Sequence, residues 1–141
     1  MTTTTSPHLD HIHALLAERG YEVSEPAADT LKIRELDSGV SVRAVLQGDI
    51  VFFSLVCTVA PESAITPAIM RTMLAADNGI STSHFQLYPA GDGDGGVAVT
   101  LANFCKLLDM GPEDADDILS CVHFLMADVM TARRLLGALQ S

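Results

Sequence analysis

The apolar pattern is clearest in the stretch that follows Gly111-Pro112. Apolar side chains recur there at spacings of three and four, which places them along one side of an α-helix. They are Ile118, Val122, Leu125, Val129, Ala132, Leu136 and Leu139. A second row, Leu119, Met126 and Met130, lies beside the first. The combined face is wider than the roughly 100° that a surface helix usually needs. The pattern therefore predicts a long closing helix, from Pro112 to about Leu139, that packs on more than one neighbour.

Two shorter helices are predicted earlier in the chain. One begins at Ser6-Pro7 and ends at Gly20, a residue common just after a helix. The other begins at Thr66-Pro67, where proline fits the first helical position, and stops at Asn78-Gly79. Both helices carry apolar residues at helical spacing, so each should place one side against a sheet.

Alternating apolar and polar positions predict five strands, three before the middle helix and two after it. They cover residues 31–34, 40–47, 51–59, 83–88 and 97–102. The third strand should bury one face, made of Val51, Phe53, Leu55, Cys57 and Val59. A glycine-aspartate loop, Gly91 to Gly96, should join the last two strands as a hairpin.

The predicted order is α-β-β-β-α-β-β-α. Short connections make neighbouring strands antiparallel, so the expected fold is α+β, with a five-stranded, mainly antiparallel sheet flanked by helices and a long C-terminal helix. We expect residues 1–5 to form a mobile polar tail and residues 6–141 to form a single domain.

Charge and hydropathy narrow the class of protein. The 141 residues include 8 Lys+Arg against 18 Asp+Glu, a formal net charge of −10, which disfavours binding to a phosphate backbone. No segment approaches the roughly 20 apolar residues that cross a bilayer, and the first residues do not resemble a signal peptide. The three cysteines, Cys57, Cys105 and Cys121, are widely spaced. That spacing fits reduced thiols in the cytoplasm and suggests neither redox nor zinc chemistry. We expect no nucleic-acid partner and no membrane insertion.

Candidate chemical groups do not form a recognised site. On a helix His8 and His11 are neighbours, whereas His13 points toward the apolar face, so three metal ligands would not converge. The Gly91–Gly96 run lacks the glutamate and the flanking helices of a calcium loop. Asp114, Asp116 and Asp117 are acidic residues at a helix start, where the helix dipole favours them. Catalytic and dinucleotide motifs are missing as well, so we expect no enzyme, no metal and no cofactor.

The element order resembles that of one known family. A Leu-rich first helix with the exit sequence LLAERGYEV, the strands described above and the long closing helix make the chain similar to the type III secretion chaperone fold, which includes the YbjN-like bacterial proteins. The small size and the acidic composition fit that resemblance. It implies a homodimer that holds an extended stretch of a partner protein against apolar patches.

The leading hypothesis is therefore a non-enzymatic protein-binding module. The resemblance implies a dimer interface on the middle helix, at Met70, Met73 and Leu74. It also implies a partner-binding surface on the outer strands. That surface would include Arg43, Val45, Phe52 and Val56. Independently of the resemblance, the outward-facing cations Lys32, Arg34 and Arg43 either serve ordinary solubility or form a patch for an acidic peptide. A small-molecule-binding or sensory domain on the same scaffold, or a small enzyme, is the alternative.

Overall fold

The computed structural model describes residues 7–90 and 95–137. The helices are α1 (Pro7–Glu18), α2 (Pro67–Leu74) and α3 (Pro112–Leu135), and a 3₁₀ turn, Glu62–Ala64, precedes α2. The strands are β1 (Glu22–Ala27), β2 (Thr30–Arg34), β3 (Ser41–Gln47), β4 (Ile50–Pro61), β5 (His84–Ala90) and β6 (Gly96–Lys106). They form one sheet in the order β1-β2-β3-β4-β6-β5. The α+β class and the long C-terminal helix are confirmed.

The predicted number of strands is wrong, because the described residues contain six. The additional strand, β1, pairs antiparallel with β2, with Val23 opposite Ile33. Its residues are nearly all exposed and include Pro26, so they show no alternating pattern. Proline lacks an N–H group and is confined largely to edge strands, which is where β1 lies. The other edge strand, β5, also contains a proline, Pro89. The observed order of helices and strands is therefore α-β-β-β-β-α-β-β-α.

The described residues fall into two compact units. The first comprises residues 7–54 and 103–123, and the second comprises residues 55–90, 95–102 and 124–137. The units are described separately below. The single-domain prediction for residues 6–141 stays a prediction, and the predicted tail, residues 1–5, lies outside the described residues.

The first unit buries one face of its strands. Helix α1 contacts β1 and β2. Fully or nearly fully buried side chains come from α1, β2, β3, β4 and α3: Leu9, Ile12, Leu16, Leu31, Ile33, Val42, Ala44, Val51, Phe53, Ile118 and Val122. The side chains on the other face of the strands point away from this core, because successive strand residues alternate between faces.

The second unit contains the β5–β6 hairpin, which pairs antiparallel from His84 opposite Ala102 to Ala90 opposite Gly96. The predicted hairpin is confirmed, although its central residues, 91–94, lie outside the described residues. On β4 the inward alternation continues through Leu55 and Cys57 and then changes: Ala60 is buried, and Val59 is 58% exposed. The predicted inward position of Val59 is therefore wrong.

A buried carboxylate joins two segments of the second unit. Asp128 on α3 is only 3% exposed. Its Oδ1 accepts hydrogen bonds from the backbone N–H and the hydroxyl of Ser81, each at 3.0 Å, and its Oδ2 accepts one from the Ser83 hydroxyl at 2.6 Å. Asp128 thus fixes the segment that leads into β5 against α3.

The predicted helix starts agree with the structure better than the predicted ends. The Thr66 hydroxyl accepts the N–H of Ile69 at 3.2 Å, as expected of an N-cap. Helix α2 ends at Leu74 rather than at Asn78-Gly79, because Ala75 is already extended.

Helix α3 ends at Leu135. Its predicted stripe is buried from Ile118 to Leu136, whereas Met130 in the second row is 55% exposed. Leu139 lies outside the described residues.

Candidate protein-binding face

The outer face of the first unit is arranged by strand register. Arg43 on β3 lies directly opposite Lys32 on β2. Two residues further along β3, Val45 lies opposite Thr30 on one side and Phe52 of β4 on the other. Directly opposite residues on antiparallel strands share a face, with their Cβ atoms about 5 Å apart. The two cations and the apolar row that includes Val45 and Phe52 are therefore neighbours.

The exposed ring of Phe104 extends this row, because it pairs with the exposed ring of Phe52. The ring centroids of Phe52 and Phe104 are 6.1 Å apart and the ring planes are tilted by 40°. The centroid distance lies within the range of about 4.5–7 Å over which aromatic rings interact. The side chains are 40% and 59% exposed, so the pair presents a large apolar surface to solvent. We call the set Lys32, Arg43, Val45, Phe52 and Phe104 the aromatic–basic face.

The two cations of this face differ from the other cations nearby in their charged neighbours. Among the described residues, neither Lys32 nor Arg43 has a carboxylate within salt-bridge distance. The other two cations nearby are paired: Arg34 Nη1 lies 3.7 Å from Glu22 Oε1, and Lys106 Nζ lies 3.9 Å from Asp49 Oδ2. Like charges placed directly opposite on a sheet are unfavourable. An anionic group bound beside Lys32 and Arg43 would relieve this repulsion.

Three of the four predicted partner-binding residues, Arg43, Val45 and Phe52, belong to this face. The fourth, Val56, lies in the second unit and is 54% exposed. Sequence reasoning missed Phe104, because it ended the last strand at Ala102. The signal was present: continuing the alternation places Asn103 and Cys105 on the buried side and Phe104 on the exposed side, as the structure does.

The proposed dimer residues differ in exposure. Leu74 is 78% exposed and Met70 is 38% exposed, whereas Met73 is buried, with 5% exposure. Met73 therefore packs inside its own unit, and of the three proposed residues Met70 and Leu74 offer apolar surface on α2. Whether this helix forms a dimer interface stays a prediction.

The acidic start of α3 contains a structural carboxylate. Asp114 Oδ2 accepts the backbone N–H groups of Leu108, Asp109 and Met110 at 2.8, 3.0 and 2.6 Å. Burial raises the pKa of Asp114, but these three hydrogen bonds and the nearby His8 outweigh it, so the pKa lies below its ordinary value. The bonds hold Met110 in the left-handed region, at φ 58°. Asp114 therefore shapes the loop before α3, a role beyond the dipole effect expected from the sequence.

Two cysteines of the first unit meet where β6 approaches α3. Cys121 Sγ donates to the carbonyl oxygen of Phe104 at 3.7 Å, and Asn103 Nδ2 donates to the carbonyl oxygen of Cys121 at 3.0 Å. Cys105 directly follows Phe104 on β6, so its thiol is a neighbour of the Cys121 thiol, and each thiol shifts the pKa of the other. The wide spacing of the cysteines along the chain does not reveal this contact, because it arises between a strand and a helix.

One of the three histidines of α1 contacts a carboxylate on the neighbouring strand. His13 Nδ1 lies 3.3 Å from Glu25 Oε1 of β1, an interaction with one carboxylate. Over residues 7–90 and 95–137, no group of three or more His, Cys, Asp or Glu side chains has an arrangement that could hold a metal ion. None of the helices described is long and apolar enough to span a membrane.

Comparison with known proteins gives a match of fold. The sequence matches no protein-family model and no curated protein. Among solved structures, it is similar to the crystal structure of YbjN, described as "a putative transcription regulator from E. coli", with a TM-score of 0.66 and 18% sequence identity over 91% of this chain and 92% of that chain. At this identity the similarity shows the fold alone. It supports the YbjN-like fold expected from the element order, whereas the likeness to secretion chaperones stays a prediction.

Proposed function

We propose that this protein is a non-enzymatic protein-binding module whose aromatic–basic face holds an extended, acidic segment of another protein. The observation that carries the proposal is the position of Lys32 and Arg43, which lack a counter-ion within residues 7–90 and 95–137, beside an exposed pair of aromatic rings. The YbjN-like fold is compatible with a protein-binding module.

Charge supports an acidic partner segment. The chain has a formal net charge of −10, so its surface repels most acidic peptides. Lys32 and Arg43 are an exception, because each stands opposite another cation and lacks a carboxylate neighbour among the described residues. Carboxylates of a partner would gain charge-assisted hydrogen bonds here, and the guanidinium group of Arg43 can bind a carboxylate in two-point geometry.

The aromatic pair supports apolar side chains within the same segment. Aromatic residues and arginine are enriched among the side chains that contribute most to protein interfaces. In an extended peptide, side chains on one side recur about every 6–7 Å, a spacing similar to that between the cationic row and the row containing Phe52. A segment that alternates acidic and apolar residues on one side would therefore match both rows.

We further propose that the protein works as a cytoplasmic homodimer, as in the secretion chaperones that the chain resembles. The apolar surface of Met70 and Leu74 on α2 supports this part of the proposal. No specific observation favours the alternative, a small-molecule-binding or sensory domain.

The test uses the whole chain and a library of displayed peptides. After selection on the immobilised protein, we expect enriched peptides to combine Asp or Glu with Phe, Leu or Ile. One enriched peptide is then synthesised with a fluorescent label and titrated by anisotropy. Arg43→Glu and Phe104→Ser should each weaken its binding at least about tenfold, a loss of about 1.4 kcal/mol.

Two exposed residues of the same unit provide matched controls. Arg19→Glu makes the same charge change after the end of α1, and Leu36→Ser removes an apolar side chain that is 57% exposed between β2 and β3. Both variants should bind like the wild type. Equal losses in the face variants and the controls would refute the proposal. So would tighter binding of labelled single-stranded DNA than of any selected peptide, since basic and aromatic side chains on a sheet also suit stacked bases.

A further inference from the structure

The structure brings the Cys105 and Cys121 thiols together in the first unit, and two hydrogen bonds hold the strand and the helix that carry them. Cys121 Sγ lies 3.7 Å from the carbonyl oxygen of Phe104, which belongs to the peptide group that leads into Cys105. From standard peptide dimensions, Cys121 Sγ is within about 6.5 Å of the Cys105 Cα atom. The bond from Asn103 Nδ2 to the Cys121 carbonyl anchors the same turn of α3 to β6.

We propose that Cys105 and Cys121 form a reversible intramolecular disulfide by exchange with a small-molecule disulfide such as oxidised glutathione. This modification site is independent of the proposed binding of a partner segment. In the first step, the Cys121 thiolate attacks one sulfur of the small disulfide, forms a mixed disulfide and releases one thiolate. In the second, Cys105 loses its proton and attacks the Cys121 sulfur, which expels the second small thiolate. Both released thiolates take up protons, so one small disulfide is reduced to two thiols for each protein disulfide formed.

The environments of the two thiols assign their roles. Cys121 is half-buried, whereas Cys105 is buried, so of the two thiols Cys121 is the one that a small disulfide can reach. The interaction with Cys105 lowers the pKa of Cys121, and this outweighs burial and the Asp117 carboxylate, which both raise it. The interaction with Cys121 and burial raise the pKa of Cys105. A lowered pKa is typical of the attacking thiol in disulfide exchange. Cys105 needs no access to solvent, because its target is the adjacent Cys121 sulfur.

The third cysteine provides an internal control. Cys57 is buried in the second unit. Burial raises its pKa to about 11, although Arg133 and a backbone hydrogen bond at Leu101 act in the opposite direction. A thiol that is both buried and protonated exchanges slowly, so Cys57 should remain reduced under conditions that oxidise the pair.

The experiment treats the full-length reduced protein with oxidised glutathione, blocks the remaining thiols with N-ethylmaleimide in denaturant, and measures the intact mass. We expect one blocked thiol out of three, no bound glutathione, and a peptide that cross-links Cys105 to Cys121 after digestion without reductant. Dithiothreitol should restore three blocked thiols. A wild-type protein that keeps three blocked thiols, retains glutathione or cross-links Cys57 would overturn the proposal.

Single variants test the order of the steps. Cys57→Ser should form the disulfide at the wild-type rate. Cys105→Ser should retain one glutathione on Cys121, and Cys121→Ser should react at least about tenfold more slowly, since its remaining thiols are buried. Equal rates of glutathione addition to Cys105→Ser and Cys121→Ser would contradict the assigned roles. Circular dichroism identifies a variant that fails to fold, and the wild-type measurement tests the disulfide without any substitution.

Discussion

The Asp128→Ala substitution should destabilise the protein substantially, because it removes the acceptor of three donors. The donors are the Ser81 N–H, the Ser81 hydroxyl and the Ser83 hydroxyl, and the shortest distance is 2.6 Å, to Ser83. A hydrogen bond to a charged group contributes about 1.5–3 kcal/mol. Ser81 is exposed, so its two donors can turn to water, and the main loss is the bond from the half-buried Ser83.

We therefore expect the free energy of unfolding to fall by about 2–3 kcal/mol in Asp128→Ala, near the value of one strong bond rather than three. For a chain of this size, that corresponds to a decrease in Tm of roughly 5–10 °C. Asp128→Asn retains an acceptor oxygen without the charge and should lose about half as much. Urea unfolding followed by circular dichroism measures both variants.

A double-mutant cycle isolates the contact with Ser83. Ser83→Ala should cost about 1–2 kcal/mol in the wild type and much less in the Asp128→Ala background, giving a coupling of about 1 kcal/mol. Asp77→Ala, an exposed acidic residue of the same unit, is the matched control and should change stability by less than about 0.5 kcal/mol. If Asp128→Ala unfolded like Asp77→Ala, or if the two substitutions of the cycle were additive, the reasoning would be refuted.

Three further outcomes are expected. The pKa of Asp114 in the folded state lies below the ordinary aspartate pKa of 3.8, so the ionised side chain stabilises the fold when the pH is above 3.8. This stabilisation is lost as the pH falls through the folded-state pKa. The stability gap between the wild type and Asp114→Asn, from urea titrations, should therefore be large at neutral pH and shrink below pH 3.8; a gap independent of pH would contradict this. On α2, Leu74→Glu should dissociate the proposed homodimer in light scattering coupled to size exclusion, whereas the exposed control Thr72→Glu should not; a wild-type mass near 15.0 kDa would exclude the dimer. EDTA should leave the circular dichroism spectrum and Tm unchanged, and a loss of helix signal would point to a metal site.

The helices and strands predicted most accurately are those in which buried apolar residues recur at a regular spacing. The α3 stripe from Ile118 to Leu136 and the inward face of β4 up to Cys57 are buried as expected, since each repeats over several residues. Strand β1 could not be found this way, because an exposed edge strand with a proline has no apolar alternation to recognise. Val59 was misplaced because the inward alternation of β4 changes near its end, a local irregularity without a residue signature.

The candidate face was predictable in part. Arg43, Val45 and Phe52 follow from the alternation within two strands, but their grouping with Phe104 depends on which strands are neighbours in the sheet. The contact between Cys105 and Cys121 depends on the rotation of α3 against β6, and neither element specifies that rotation alone. Contacts between residues that are far apart in the sequence were the least predictable.

The prolines in the two outermost strands constrain how any partner can bind. Many peptide-binding domains recruit an extended ligand by β-augmentation, in which the ligand joins the sheet edge and gains a continuous main-chain ladder. Pro26 in β1 and Pro89 in β5 each lack an N–H group, which interrupts such a ladder at both edges. A ligand on the aromatic–basic face would instead be recognised through side chains, without a sequence-independent contribution from backbone pairing. The same interruption hinders edge-to-edge joining of copies of this chain, which protects a sheet with exposed apolar side chains from growing into aggregates.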